Sequence, residues 1–250
     1  LSYSKVVIDE IQMYSTDLLA YLIYGLKYIT DFGGKFAIMT ATLPGIIIDL
    51  LKKEEIEFVT TEPFINDKKR HNIKVLKNTI NAEFIKENYK DNKILVVCNT
   101  VKKSKQIYED LKNLGIECKE LNLLHSRFIK KDRAKKEKEI SEFANPKRFK
   151  KNVKKERELK NICENGIWIG TQVVEASLDL DFDILITELS DLNGLFQRMG
   201  RCYRNREILD EKYNCYVFTE ECSGIKSSKA VIDKEIHQKS KEILINIDGL

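Results

Sequence analysis

Residues 5–12 read Lys-Val-Val-Ile-Asp-Glu-Ile-Gln, a short apolar run that ends in two adjacent carboxylates. The length and β-branching of this run predict a buried strand, and similar runs recur along the chain. The predicted strands are Val6–Ile8, Phe36–Met39, Ile94–Val97, Leu121–Leu124, Ile167–Ile169, Ile184–Ile186 and Tyr216–Phe218. Helix-like stretches separate them, and this alternation is typical of a parallel sheet covered by helices on both faces. The predicted fold class is therefore α/β.

Two of the intervening stretches carry clear helix signals. In Asp17–Tyr28 and just beyond it, leucine and isoleucine recur at helical spacing, and Ser15 or Thr16 is available as an N-cap. The residues that share this predicted face are Leu18, Leu22, Leu26 and Ile29. Val101–Leu114 has Ile107, Leu111 and Leu114 on one side and stops at Gly115, a favourable left-handed terminator.

The composition is that of a globular protein with a well-charged surface. Hydrophobic residues make up 42% and charged residues 33% of the 250-residue chain. No apolar run approaches the roughly 18–20 residues that span a bilayer, so we expect no membrane association. The six cysteines form no Cys-x-x-Cys pair, which predicts reduced thiols in a cytoplasmic protein. The chain contains no His-Asp pair, so it encodes no histidine–aspartate metal nuclease site.

The organisation along the chain predicts two α/β regions and a closing helix. A polar run without periodicity follows Pro63, so we place a first domain at residues 1–62 and a second at residues 63–225. Residues 226–250 form the predicted C-terminal region, and its helix is predicted to span Lys226–Asn246. Residue 1 is leucine, and we expect the chain to begin inside a longer protein.

A basic stretch interrupts the second domain. Residues 127–160 contain 15 Lys and Arg against 6 Asp and Glu, and we interpret residues 127–165 as an insertion or a long charged helix. Because Lys and Arg displace the counterions of a polyanion, this stretch suits nucleic acid. A solvated helical face is an equally good interpretation of the same charges.

Polar side chains end the first two predicted strands. Asp9 is a candidate to hold Mg²⁺ through its water shell, and Glu10 to orient or deprotonate an attacking water. Gln12 is placed to report the state of a nucleotide to neighbouring loops. Thr40 and Thr42 follow the second strand, and their hydroxyls are expected to bond the carboxylate loop and a second domain.

An arginine-rich string lies near the other end of the chain. Residues 197–204 read Gln-Arg-Met-Gly-Arg-Cys-Tyr-Arg, with Arg198, Arg201 and Arg204 at a spacing of three that predicts one ridge of a helix. Guanidinium groups on such a ridge can stabilise charge on a transferred γ-phosphoryl group. Gly200 is expected to let a partner approach closely, and Gln197 is a candidate nucleotide contact.

A third polar string follows the strand Ile167–Ile169. Thr171 and Gln172 offer donors that suit a nucleic-acid phosphate. Glu175 and Asp179 are four residues apart, so one helical turn would put both carboxylates on one side. Asp179 is the better candidate to bind a ribose or to hold the arginines.

Two further strand ends offer polar groups that suit a phosphodiester backbone. Asn99 and Thr100 follow the strand Ile94–Val97, and His125, Ser126 and Arg127 follow Leu121–Leu124. His125 is equally well interpreted as a turn histidine whose hydrogen bonds are satisfied. Trp168 lies inside a strand and is predicted to belong to the core.

Taken in order, these strings resemble the motifs of superfamily 2 DExH helicases. More narrowly, they resemble the CRISPR-associated helicase–nucleases of type I interference systems. The strings that carry the resemblance are Asp9–Gln12 (motif II), Thr40–Pro44 (motif III), Val97–Val101 (motif IV), Leu123–Phe128, Gly170–Asp183 (motif V) and Gln197–Arg204 (motif VI). Motifs V and VI and the string Leu123–Phe128 are the parts specific to that family.

The resemblance implies two RecA-like lobes, a partial first lobe and a complete second one, with ATP and Mg²⁺ bound between them. Single-stranded DNA would cross both lobes, and hydrolysis would drive translocation. A nuclease domain in the same or another chain would degrade the unwound strand, and an RNA-guided surveillance complex would recruit the protein.

Two departures from the family pattern matter. Ser177 stands where many superfamily 2 members have glycine, and the chain contains no Gly-x-x-x-x-Gly-Lys-Ser/Thr loop to hold the β- and γ-phosphates. We therefore expect the isolated chain to have little ATPase activity. Two alternatives stay open: a RecA-like module that binds nucleic acid without catalysis, and an RNA-directed DExH helicase.

Overall fold

A computed structural model describes residues 5–65, 67–145, 165–175, 178–209, 211–225 and 231–245. The chain divides into two compact units, Leu1–Asn66 and Asp67–Leu250. From the sequence alone we placed the boundary between residues 62 and 63. Each unit is an α/β layer structure with its own apolar core.

The first unit pairs two strands in parallel beneath two helices. Its elements are β1 (Lys5–Asp9), α1 (Thr16–Asp31), β2 (Lys35–Met39) and α2 (Gly45–Lys53). The Ser15 hydroxyl caps α1 by accepting a hydrogen bond from the Leu18 amide at 3.4 Å. The predicted apolar face of α1 is confirmed at Leu26, which is buried, and at Leu22, which packs against the core, but Leu18 is exposed. Ile23, which we did not select, is buried as well.

The second unit is a six-stranded, wholly parallel sheet with the strand order β3-β8-β7-β4-β6-β5. Its strands are β3 (Ile73–Leu76), β4 (Lys93–Val97), β5 (Leu121–Leu124), β6 (Gly166–Gly170), β7 (Ile184–Glu188) and β8 (Cys215–Phe218). Its helices are α3 (Ala82–Asn88), α4 (Val101–Asn113), α5 (Lys130–Ala144), α6 (Leu192–Met199) and α7 (Lys234–Ile245). All the predicted strands are present, and β3 is an edge strand that we did not predict.

The sheet of the second unit is buried on both faces, as its continuous apolar strands require. In β4, Ile94 and Val96 pack into one core cluster while Leu95 and Val97 pack into the other, and all four are fully buried. Trp168 of β6 is also buried, which confirms that it belongs to the core.

The helix ends follow local chemistry. Gly115 has φ +87° directly after the last turn of α4, which confirms the predicted terminator. The predicted start of the C-terminal helix is wrong, because α7 begins at Lys234, where the Asp233 carboxylate accepts hydrogen bonds from the amides of Glu235 and Ile236. Residues 226–230 and 246–250 lie outside the described residues.

The basic stretch forms a helix in its first half. α5 carries exposed lysines on its outer side and buries Ile140 and Phe143 against the sheet. Residues 146–164, which include the second half of the stretch, lie outside the described residues.

Two expectations from composition also concern this part of the chain. Within the described ranges no helix is long and apolar enough to cross a membrane. The cysteines of the described residues are unbridged, and they are Cys98, Cys118, Cys202, Cys215 and Cys222. Cys118 is exposed and the other four are packing residues; Cys163 lies outside the described residues.

Candidate functional site

The carboxyl end of β1 presents two carboxylates in different settings. Asp9 is the last residue of the strand, and its side chain is exposed. Glu10 follows in the left-handed conformation, with φ 51° and ψ 52°, and its amide donates to the carbonyl of Met39 at the end of β2. A left-handed glutamate is uncommon, and the bond to β2 holds it in place.

Thr40 links these carboxylates to the second strand of the unit. Its hydroxyl lies 2.6 Å from Gln12 Oε1 and 3.4 Å from Glu10 Oε2, and the Gln12 amide donates to the same carboxylate oxygen of Glu10. The Thr40 hydroxyl also accepts from the Thr42 amide at 3.1 Å. Three side chains from two of the predicted strings therefore form one hydrogen-bonded cluster, which we call the Glu10 cluster: Glu10, Gln12 and Thr40.

Oxygen ligands dominate this edge of the sheet. Mg²⁺ prefers carboxylates and water, so the exposed Asp9 and the neighbouring Glu10 fit a hydrated magnesium ion that carries nucleotide phosphates. In the part of the chain that the structure describes, no three or more His, Cys, Asp or Glu side chains converge to form a metal cage. The Thr42 hydroxyl is buried and has no hydrogen-bond partner among the described residues.

In the second unit, Arg198 is the centre of a buried polar network that joins three strand ends. Its Nε donates to Glu175 at 2.7 Å, beyond β6. One terminal nitrogen donates to the Thr187 hydroxyl and the Glu188 carbonyl, at 2.9 and 2.7 Å, and the other to Asn99 Oδ1 at 3.0 Å. Arg198 is 0% exposed. Burial raises the pKa of Glu175 above its ordinary value, and the charge of Arg198 opposes that rise.

Glu188, which sequence reasoning did not select, holds a second part of this network. Its buried carboxylate accepts a hydrogen bond from the backbone amide of Asn99 at 2.7 Å. It also accepts from the backbone amide and the hydroxyl of Ser223, at 2.7 and 2.8 Å. The Thr100 hydroxyl, which caps α4, donates to the Ser223 hydroxyl at 3.0 Å. The available signal was a carboxylate at the end of an apolar strand, which is the criterion that selected Asp9.

The predicted arginine ridge is wrong. Helix α6 ends at Met199, so Arg201 and Arg204 lie in the turns that follow it, and only Arg198 lies on the helix. Arg201 is 7% exposed and donates to the carbonyls of Glu175 and Leu178. Arg204 is about half-exposed and pairs with Asp179 at 2.9 Å.

The other candidates of motifs V and VI are Glu175, Asp179, Gly200 and Gln197. Glu175 and Asp179 each pair with a different arginine, Glu175 with Arg198 and Asp179 with Arg204. Gly200 has ordinary right-handed dihedral angles, and no atom lies within 3.4 Å of the position of an added Cβ, so the chain itself requires no close approach there. Gln197 is half-buried on α6.

Two of the residues that we predicted to contact nucleic acid, Asn99 and Thr171, are buried in the structure. The Asn99 side chain is buried, and its amide donates to the Leu189 carbonyl at 2.9 Å. Thr171 is also buried, at 2% exposure. Gln172 is half-buried and donates to the Asn99 carbonyl at 2.9 Å, which leaves one of its amide hydrogens for another acceptor. Ser126 and Arg127 are exposed after β5.

His125 is not a turn histidine whose hydrogen bonds are satisfied, and its contact with nucleic acid stays a prediction. It is 4% exposed and stacks on Phe128 with ring centroids 4.4 Å apart. Neither ring nitrogen has a hydrogen-bond partner among the described residues. Burial lowers the pKa of His125, and the charges of Lys105, Arg127 and Lys136 lower it further.

We predict that the second unit loses stability as the pH falls below about 6.5, the ordinary pKa of histidine. Burial lowers the pKa of His71, His125 and His237, so below this pH the unfolded chain binds protons that the folded unit does not. Each histidine then costs up to about 1.4 kcal/mol per pH unit until its folded pKa is reached. Urea unfolding at pH 7.5 and 5.5 measures the loss. His125→Phe is expected to reduce it, and an unchanged difference would contradict the account.

Comparisons with known proteins agree with this architecture. Residues 90–207 match the family model for the C-terminal part of the CRISPR-associated nuclease/helicase Cas3. The chain is 29% identical to the protein of that name from Methanothermobacter thermautotrophicus, covering 99% of this chain and 29% of that protein. It is 28% identical to the Cas3 endonuclease/helicase of Escherichia coli, covering 81% of this chain and 25% of the relative. The chain thus spans less than a third of these relatives.

Solved structures show the same fold. T. fusca Cas3 with AMPPNP superimposes with a TM-score of 0.79 at 20% identity, covering 100% of this chain and 33% of that one. S. cerevisiae Dbp5 bound to RNA and ADP BeF3 gives a TM-score of 0.58 at 15% identity, covering 97% and 58%. These likenesses confirm the predicted RecA-like α/β fold class.

Proposed function

We infer that this chain, which belongs to the CRISPR-associated nuclease/helicase family, provides helicase residues of an ATP-dependent translocase on single-stranded DNA. In this proposal it acts with a nuclease in type I CRISPR interference. The Glu10 cluster is the observation that carries the proposal. A carboxylate that two neighbouring side chains orient at the carboxyl edge of a parallel sheet is suited to position and deprotonate a water molecule.

We assign Asp9 to the water shell of Mg²⁺ and Glu10 to the attacking water. Bound Mg²⁺ would neutralise charge on the β- and γ-phosphates of ATP. Gln12 and Thr40 orient the Glu10 carboxylate through the hydrogen bonds described above. Thr40 and Thr42 are proposed to couple the two RecA-like lobes.

Arg201 and Arg204 are proposed to stabilise charge on the transferred phosphoryl group. Arg204 is the better placed to reach a ligand, because its side chain is 39% exposed while Arg201 is buried against backbone carbonyls. Asp179 pairs with Arg204 and can hold it in place. Gln197, which is half-buried, stays a proposed nucleotide contact.

The DNA strand is proposed to cross the ends of the strands in the second unit. Ser126 and Arg127 are exposed after β5, beside the exposed lysines of α5. Thr100, Gln172 and His125 stay candidates at the same edge. Contacts of this kind bind the phosphate backbone and do not distinguish one base sequence from another.

The proposed partners are an RNA-guided surveillance complex and a nuclease domain in the same or another chain. One solved structure of this fold, with a TM-score of 0.73 at 19% identity, is a "CRISPR RNA-guided surveillance complex, pre-nicking". The chain has no His-Asp pair, so we place the nuclease activity outside these 250 residues. The cytoplasmic location expected from the thiols stays a prediction.

The comparisons do not favour the two alternatives, a non-catalytic module and an RNA-directed helicase, because the relatives are nuclease/helicases of CRISPR systems. The Dbp5 structure is bound to RNA, but it is only 15% identical to this chain, so the similarity shows the fold alone.

ATP turnover tests the proposal. In the longest natural protein that carries this sequence, single-stranded DNA is expected to stimulate phosphate release, and rising salt to weaken the stimulation because phosphate contacts release counterions. An RNA strand of the same sequence is expected to stimulate less. The 250-residue chain alone is expected to show little turnover, since it has no Gly-x-x-x-x-Gly-Lys-Ser/Thr loop. Salt-sensitive binding of strands with no nucleotide hydrolysis in the longest protein would favour the non-catalytic alternative.

A further inference from the structure

A clamp of three charged residues lies beside the turn that joins Arg201 to Arg204, and we call it the Arg206 clamp: Asp181, Asp183 and Arg206. Arg206 donates to Asp181 Oδ1 at 2.9 Å and to Asp183 Oδ1 at 2.5 Å. It also donates to the carbonyl of Phe182, between them, at 2.7 Å. One guanidinium group thus holds three consecutive residues on the approach to β7.

The clamp connects the sheet to the backbone of Arg204. Asp183 Oδ2 accepts a hydrogen bond from the amide of Lys93, the first residue of β4, at 2.8 Å. Asp181 Oδ1 accepts from the amide of Arg204 at 3.1 Å, on the oxygen that Arg206 also binds. The position of Arg204 is therefore fixed relative to the sheet through two aspartates.

Tyr203 occupies the middle of the same turn in a strained conformation. Its φ is +48°, in the left-handed region that non-glycine residues seldom adopt. Its amide donates to the Phe182 carbonyl at 3.1 Å, and the Arg206 guanidinium lies 4.2 Å from the centre of its ring. Such a conformation persists where the surroundings determine it, and here Arg206 contacts both the ring and the carbonyl that the Tyr203 amide binds.

We propose that Arg206 and Tyr203 are positioning residues for ATP hydrolysis, which fix the turn so that Arg204 faces the transferred phosphoryl group. Neither residue is placed on the nucleotide itself; both act through Arg204. The inference rests on the proposed function and adds two residues to it. Arg206 lies beyond the arginine string of residues 197–204, and its role was not predicted from the sequence.

The exposure of the clamp separates a positioning role from a structural one. The side chains of Arg206 and Asp183 are 38% and 32% exposed, and that of Asp181 is 15% exposed. Ion pairs that involve a partly exposed guanidinium contribute little to stability. The rate of a reaction, in contrast, falls steeply when a catalytic group moves by a fraction of its contact distance. Loss of the clamp should therefore reduce turnover much more than it reduces stability.

The test uses the longest natural protein that carries this sequence. Arg206→Gln is expected to lower kcat by about ten- to a hundredfold while KM for ATP changes by less than about twofold. Arg206→Lys keeps the charge and loses the fork, so it should recover part of the rate. Lys241→Gln, which breaks the Lys241–Glu220 pair in the same unit, is the matched control and should leave kcat unchanged.

Amide hydrogen exchange gives a readout that does not depend on activity. In Arg206→Gln and in Tyr203→Ala, the amides of Tyr203 and Arg204 should exchange faster than in the control, while those of β4 and β7 keep their protection. A wild-type kcat in both variants, or a loss of protection throughout the sheet, would overturn the positioning role.

Glu10→Gln in the same protein separates a failure of the positioning role from a failure of the proposed function. If it abolishes turnover while Arg206→Gln does not lower it, only the positioning role fails. If Glu10→Gln has no effect on turnover, the proposed function fails, and the positioning role fails with it.

Discussion

Glutamine in place of Glu10 is expected to lower ATP turnover by about 10²–10⁴-fold, the usual contribution of a general base. The substitution keeps the size of the side chain and one acceptor oxygen, and Gln12 and Thr40 both bond a single oxygen of Glu10, so they can still contact it. It removes the charge that would take a proton from water. ATP binding should persist, because Asp9, the residue proposed to hold the water shell of Mg²⁺, is unchanged. Phosphate release and nucleotide binding, measured in the longest natural protein that carries this sequence, check both parts.

Glu57→Gln is the matched control for this prediction. Glu57 is an exposed glutamate of the same unit, outside the Glu10 cluster, and its substitution should leave turnover at the wild-type rate. Unchanged turnover in Glu10→Gln would show that Glu10 does not act on the attacking water.

The second large effect concerns stability. Arg198→Met is expected to destabilise the second unit by about 3–5 kcal/mol, because it leaves the buried Glu175 carboxylate without its charged partner. The carbonyl of Glu188 and the Asn99 side chain lose donors as well. Urea unfolding of the 250-residue chain, followed by a probe in the second unit, measures the change.

A double variant tests whether the unpaired charge causes this loss. Glu175→Met added to Arg198→Met removes the orphaned carboxylate, so the double variant should be more stable than Arg198→Met alone. Lys241→Met breaks a partly exposed ion pair instead and is expected to cost only about 0–1 kcal/mol. A loss in Arg198→Met as small as in this control would contradict the buried network.

The strands of the second unit were predictable because they are short, β-branched and largely buried on both faces, whereas Val7 of β1 and Met39 of β2 are exposed. β4, for example, is fully buried from Ile94 to Val97, and no polar residue interrupts that run. β3 was missed because Ile-Lys-Val-Leu alternates at the edge of the sheet and follows a polar linker. Four alternating residues are too few to distinguish a strand from an extended loop.

The sequence predicted which strand ends carry the site residues, but it did not predict how those residues are arranged. Asp9, Glu10 and Thr40 were selected because the carboxyl ends of parallel strands meet at one edge, and the Glu10 cluster forms there. Sequence spacing misled us for Arg201 and Arg204, since a spacing of three fits a helix that in fact ends at Met199.

Burial was the second property that the sequence did not reveal. Asn99 and Glu188 look like ligand contacts by position, yet both are used internally, by partners that lie 35 or more residues away in the chain. Whether a polar side chain at a strand end faces solvent or a distant segment depends on the tertiary structure.

The central claim is that residues of both units serve ATP hydrolysis. The most direct measurement is DNA-stimulated phosphate release by the longest natural protein that carries this sequence, compared among the wild type, Glu10→Gln and Arg204→Gln. The account predicts that each substitution alone removes most of the turnover, by about 10²-fold or more, while ATP still binds. Wild-type turnover in either variant would contradict it.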